Sequence, residues 1–211
     1  MGCGSAVRQE KPRPRCGLSG RKAGHAFGPD SVHTRRGGIE RRAFALKTRC
    51  CPHCGCRGSL NRHSVLRGND PAAPVGRITR GQRAFCSDRG LRGGCGKTFP
   101  LFLAGVLPRH TFNATLLWAL LRKLLDGSPS IKTAAETLRL PFSMEAIYGI
   151  LRRCKHRLDA VRILLSRDRP APVSGRTDPF LQTLEHLRES FAVHPCAISG
   201  YQRHWQRGFL G

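Results

Sequence analysis

The clearest periodicity in the chain is "NATLLWALLRKLLDG", where apolar residues fall at 116, 117, 120, 121, 124 and 125. That spacing predicts an amphipathic helix over 114–125, with Asn113 as its N-cap and Gly127 as its stop. "IKTAAETLRL" predicts a second, shorter helix over 131–139, capped by Ser130 and ended by Pro141. In "MEAIYGILRRCKHRLDAVRILL" the apolar positions 147, 150, 151, 154, 158, 161 and 165 keep helical spacing, so one continuous helix over 144–165 is expected, capped by Ser143. Its other face carries Arg152, Arg153, Lys155, His156, Arg157 and Arg162. Beyond the linker-like "RDRPAPVSGR", Asp178 caps a further helix with Pro179 in its first position and apolar residues at 180, 181, 184, 187 and 191.

Upstream the pattern changes. Residues 47–100 hold two short β-capable runs, "SLNRHSVL" and "GQRAFC", on either side of "RGNDPAAPVGR", which suits a small β-ribbon. Residues 1–46 are rich in Gly, Pro and Arg and show no apolar periodicity, as expected of a disordered basic arm. The chain therefore divides into an arm (1–46), a ribbon (47–100), a helical domain (107–168) and a linker with a C-terminal helical tail (169–211). The tail is aromatic, with Trp205 and Phe209, which suits docking on the helices or self-association.

Composition narrows the partner. The 211 residues carry 37 Lys and Arg against 13 acids, a formal net charge of +24. The excess is +7 over 1–46 (10 basic, 3 acidic), +9 over 47–100 (11 and 2), +7 over 101–170 (12 and 5) and +1 over 171–211 (4 and 3). A polyanion facing the first three quarters of the chain accounts for this, and nucleic acid is the first candidate. No run of eighteen apolar residues occurs, and the N-terminus lacks a secretory pattern, so a cytoplasmic, nucleoid-associated protein without membrane contact is expected.

The ten cysteines carry the strongest chemical signal. In a reducing compartment, thiols at short spacing read as metal ligands rather than disulfides. Cys51-Pro52-His53-Cys54-Gly55 can grip one metal ion from a tight turn, the glycine letting the chain curl away. Cys86 and Cys95, the latter followed by Gly96, can complete a tetrahedral set as Cys-x8-Cys, their insertion "SDRGLRGG" looping out. Cys50 can replace Cys51 only by giving up the x2 spacing, and Cys56 and His63 stand in reserve. A four-thiolate zinc site is saturated, so Zn2+ here would be structural, contributing folding free energy.

Three helices with short connections have the layout of a helix-turn-helix whose third helix enters the major groove. Ser143, Glu145, Ala146, Tyr148 and Gly149 would face bases, with Arg152, Arg153 and Arg157 available for phosphates. An ordinary bundle with a solvated basic face fits the same spacing; the net charge favours the DNA-binding alternative.

"RCCPHCG … GQRAFCSDRGLRGGCGKTFP" followed by "SIKTAAETLRLPFSMEAIYGILRRCKHRL" resembles the DNA-binding N-terminal region of bacterial insertion-sequence transposases. The likeness covers about residues 49–160, and "CPHCG" and "CGKTF" are its most specific elements. It implies a small β zinc ribbon followed by an all-α helix-turn-helix bundle, Cys51, Cys54, Cys86 and Cys95 as zinc ligands, and Lys97 and Thr98 beside the second half-site near a phosphate. Two features depart from the family: the wide Cys-x8-Cys pair, and the turn "RLPFS", which has no glycine between helices two and three.

A transposase nuclease domain brings three carboxylates together on separate strands, and only 46 residues follow position 165. Asp168, Asp178, Glu185 and Glu189 fall in a linker, at a cap and on a helix face, so the expected protein is not an enzyme. It is instead a transposase-like accessory, regulator or remnant of an insertion element, partnered by duplex DNA and by a second copy or a separate transposase subunit. The alternative is an RNA- or ribosome-associated basic zinc-ribbon protein. Cys154, on an apolar helix face, and Cys196 read as packing thiols.

Overall fold

A computed structural model describes residues 46–71, 73–89 and 93–211; the basic arm expected over 1–46 lies outside the described residues except for Leu46. β1 (Leu60–Asp70) and β2 (Ala73–Cys86) form a long antiparallel hairpin, and β3 (Thr98–Phe102) pairs with β2, so the order is β1-β2-β3. The sequence predicts two short strands flanking a Gly- and Pro-rich middle; the ladder instead runs through it, pairing Gly68 with Ile78 and Asn69 with Arg77. Register shifts after Arg62, Leu66 and Asn69 absorb the irregular residues without ending the pairing. β3 pairs only with residues 81–85, so the hairpin beyond Gly81 continues as two strands.

One face of the sheet buries Leu60, Ala84 and Cys86 with Leu46 and Cys51, and Phe99 and Leu101 pack at its margin. Among the described residues five buried side chains make this a small core. A segment of this size depends on something besides apolar burial for its stability.

The helices follow the predicted caps. In α1 (Ala114–Leu125) the Asn113 side chain accepts from Leu116 N at 2.8 Å, and in α2 (Ile131–Thr137) Ser130 accepts from Thr133 N at 3.0 Å. α1 ends in paired bonds from Gly127 N to Leu124 O and Ser128 N to Lys123 O, with Gly127 at φ +94°. α2 ends the same way, Arg139 N to Glu136 O and Leu140 N to Ala135 O, with Arg139 itself at φ +48°. The turn without glycine is thus made by an arginine in the left-handed region.

The continuous helix expected over 144–165 is two helices, α3 (Met144–His156) and α4 (Leu158–Asp168), broken at Arg157. Arg157 N is shared between Arg153 O and Cys154 O, both at 3.1 Å, which tightens the last turn of α3. A one-residue break leaves the apolar spacing intact, so periodicity cannot register it.

α5 (Pro179–Ser190) and α6 (Ala197–Trp205) complete the chain. Residues 169–211 do more than trail behind the helical domain. Leu184, Leu187, Ile198, Tyr201 and Phe209 are buried in the same core as Leu117, Leu121, Ile147, Leu151 and Leu165. α1 packs against α2, α5 and α6, and α4 against α5. The connection 103–113 is held from both sides. Arg80 of β2 donates to Leu107 O and His110 O, and the buried Gln202 of α6 donates to Ala104 O and Val106 O. No helix among the described residues is long and apolar enough to cross a membrane.

Candidate metal centre and nucleic-acid interface

Cys51, Cys54, Cys86 and Cys95 converge so that their four sulfurs all lie within 4.8 Å of one another. The Cys51–Cys95 and Cys54–Cys86 Sγ pairs are each 3.7 Å apart. An ion with bonds of about 2.3 Å to four tetrahedral sulfurs would place them about 3.8 Å apart, whereas a disulfide needs about 2.05 Å. The four thiols can therefore hold a metal ion. Among the described residues they are the one such group of metal-ligating side chains.

Two turns build the cluster in the same way. Gly55 donates its N–H to Cys51 O at 2.8 Å with φ +72°, and Gly96 donates to Cys86 O at 2.9 Å with φ +69°. Each glycine takes the left-handed conformation that turns the chain away after the second sulfur. The wide spacing of the second pair closes because Gly94 lies against Ser87: a Cβ on Gly94 would stand 2.0 Å from Ser87 O and 2.9 Å from Cys86 Sγ. Backbone N–H groups also point at the sulfurs, His53 N to Cys51 and Cys95 N to Cys86, both at 3.4 Å.

Burial pushes the Cys51 thiol up to about 12 and also raises Cys54. Burial acts upward on Cys86 as well, but the Ser59 hydroxyl, the Cys95 N–H and the Cys51 and Cys54 thiols together hold this thiol below its ordinary value. Sequence reasoning missed Ser59. It is buried with its Oγ 3.1 Å from Cys86 Sγ, and nothing in "RGSL" marks it beyond its place before β1. Gly94 was equally hidden, its role arising from a contact with Ser87 across the loop.

Cys50, Cys56 and His63 fall outside the cluster. Cys50 bridges its backbone to Arg57, the Cys56 thiol donates to Arg57 O at 3.8 Å, and the His63 ring lies beside Phe85 on the hairpin. Lys97 and Thr98 are both exposed just after the second turn, and Lys97 O accepts from Cys86 N at 2.9 Å.

The other predicted residues lie on α3. Ser143 accepts from Ala146 N at 3.3 Å, and Glu145 sits in the first turn, favourably placed at the positive end of the helix dipole. Ile147, Ile150, Leu151 and Cys154 are buried, while Glu145, Tyr148, Arg152 and Arg153 are exposed, Tyr148 by 51 %. The Cys154 thiol is pushed up to about 12 by burial, in keeping with a packing role. Cys196 likewise is buried, capping α6 through Ser199 N. Arg157 stands apart from the exposed face: it occupies the helix break, half-buried, with its Nε unpartnered inside the protein. Lys155 is drawn toward α5, its ammonium 5.6 Å from the centre of the Phe180 ring.

No protein-family model matches the chain, and no curated protein and no solved structure matches it significantly.

Proposed function

We propose that this chain is a non-catalytic, zinc-stabilised protein that binds double-stranded DNA, built as a transposase-like zinc ribbon and helix-turn-helix. The observation that carries the reading is the exposed face of α3. Tyr148, Arg152 and Arg153 stand in solvent on a capped helix whose other face is fixed in the core, in a chain of net charge +24. Tyr148 offers an amphipathic contact to base edges, and the two arginines offer charge-assisted bonds to phosphates. Four thiolates with tetrahedral spacing favour Zn2+, the ion for which a saturated all-cysteine site is usual, and such a site stiffens the ribbon without activating a water.

The non-catalytic part of the reading is supported by where the acids lie. Asp168 ends α4 and pairs with His204, Asp178 caps α5, and Glu185 accepts from Ser174. Each carboxylate is engaged at a different place on the helices.

The test is selection of bound duplexes from random-sequence DNA at two salt concentrations, using the full chain refolded with zinc. The salt slope counts phosphates and enrichment measures base reading. Enrichment that disappears in Tyr148→Ala with Arg152→Ala supports the proposal. No enrichment at either salt, or a preference for structured RNA that ignores those substitutions, overturns it.

A further inference from the structure

Beyond the end of β3 the hairpin continues, and the loop leading into α1 folds back against it, leaving a concave space of about 360 Å³. Its walls include Arg67 of β1, Arg80 of β2, and Arg109 and His110 of the loop, and no carboxylate lines it. α3 reaches the same place, where Arg153 Nη1 lies 3.4 Å from His110 Nε2. Arg67, Arg80 and Arg109 line the space and Arg153 reaches its His110, four like charges about one cleft. None of the four has an acidic partner among the ion pairs of the described residues.

The cluster is held in place by the fold. Arg80 spends its guanidinium on Leu107 O and His110 O, which fixes a positive charge in the wall. Arg109 is exposed and holds φ at +66°, a backbone conformation uncommon outside glycine. Burial first, then Arg153 and Arg80, lowers the His110 pKa. Basic surface continues on both sides. By register, Arg67, Asn69, Arg77 and Thr79 share one face of the hairpin, and Arg152 is exposed on α3.

From this geometry we infer that the cleft is a phosphate site taking a backbone phosphodiester of duplex DNA, with Arg67 and Arg109 as its reaching groups and Arg80 as a fixed charge behind them. It rests on the DNA-binding reading and adds a contact separate from the face of α3. A phosphodiester offers two acceptor oxygens and one negative charge, which match a guanidinium fork. A concave wall of like charges focuses the field on such a group.

Two variants test it in the full, zinc-refolded chain. Arg109→Gly removes the charge while easing the backbone, so it folds at least as readily as the parent; Arg67→Gln changes an exposed side chain. Each is expected to weaken binding of a mixed-sequence duplex several-fold and to reduce the slope of log affinity against log salt by about 1. Sequence enrichment should stay unchanged, and Arg67→Lys should restore the slope. In parallel, inorganic pyrophosphate is titrated while the His110 ring protons are followed by NMR. The signals should move in the parent chain and stay still in a chain carrying both Arg109→Gly and Arg67→Gln. Wild-type slopes in both variants with a motionless His110 overturn the cleft and leave the reading of α3 standing. A His110 that responds to pyrophosphate in a chain that binds no duplex overturns the assignment to DNA and identifies a site for free phosphate groups.

Discussion

Gly96 donates its N–H to Cys86 O at 2.9 Å, closing the excursion 87–95 into the same turn that Gly55 makes with Cys51. The stretch between Ser87 and Gly94 is therefore expected to be dispensable for the grip. Because Gly94 already lies against Ser87, deleting 88–93 joins chain positions that are neighbours in space. Both the parent and the shortened protein are expected to take up zinc at one ion per chain. Metal content after refolding checks this, and a deletion protein that binds none would show that the loop itself builds the site.

Removing the metal should unfold one part of the molecule and spare the other. Among the described residues the sheet core holds five buried side chains, whereas the helical core runs from Leu107 to Phe209. Chelation, or Cys54→Ser, is expected to abolish hydrogen-exchange protection of the β1 and β2 amides while the amides of α1 and α5 stay protected. Loss of protection throughout the helices would contradict the unequal division of the core.

The C-terminal helices are load-sharing members of the core. Leu187 is fully buried, so Leu187→Ala should lower unfolding free energy by about 2–5 kcal/mol. Ile163, 65 % exposed on α4, should tolerate alanine to within about 0.5 kcal/mol. Denaturant midpoints of the two variants make the comparison.

Gln202 is a buried polar hub: its amide donates to Ala104 O and Val106 O, and its carbonyl accepts from Phe209 N at 3.0 Å. Gln202→Leu keeps the bulk and leaves these backbone groups unsatisfied. A loss of about 1–3 kcal/mol is expected, measured by chemical denaturation.

Acid should destabilise the helical part through His186. Its ring is buried with Nε2 unpartnered, and burial lowers its pKa despite the opposing pull of Arg169 O and Glu189. The unfolded chain then binds the proton more readily, so stability is full above about pH 6.5 and falls as pH drops below it. His186→Phe should flatten the melting temperature between about pH 7 and pH 5; a slope identical to the parent's would assign the effect elsewhere. His110 acts with the same sign and leaves a residual slope.

What was legible in the sequence was whatever depends on neighbours along the chain. Asn113, Ser130, Ser143 and Asp178 cap their helices as their positions before apolar runs predict. The Cys51-x2-Cys54-Gly55 turn was visible because its ligands and its left-handed glycine are contiguous. What was hidden depends on partners distant in sequence. The break at Arg157 leaves the apolar period untouched, and the joining of 169–211 to the helical core is a matter of which stripe meets which. Ser59, the Arg80 bonds to the loop and the cluster around His110 arise from contacts that spacing does not encode.

The connection 103–113 lacks regular structure, yet it is clamped by Arg80 from the sheet and by Gln202 from the helices. A segment fastened at both flanks does not serve as a hinge. The hairpin and the helices, whose buried cores are separate, are thus joined through this connection by the side chains of Arg80 and Gln202, so their mutual placement depends on two residues that belong to neither hydrophobic core.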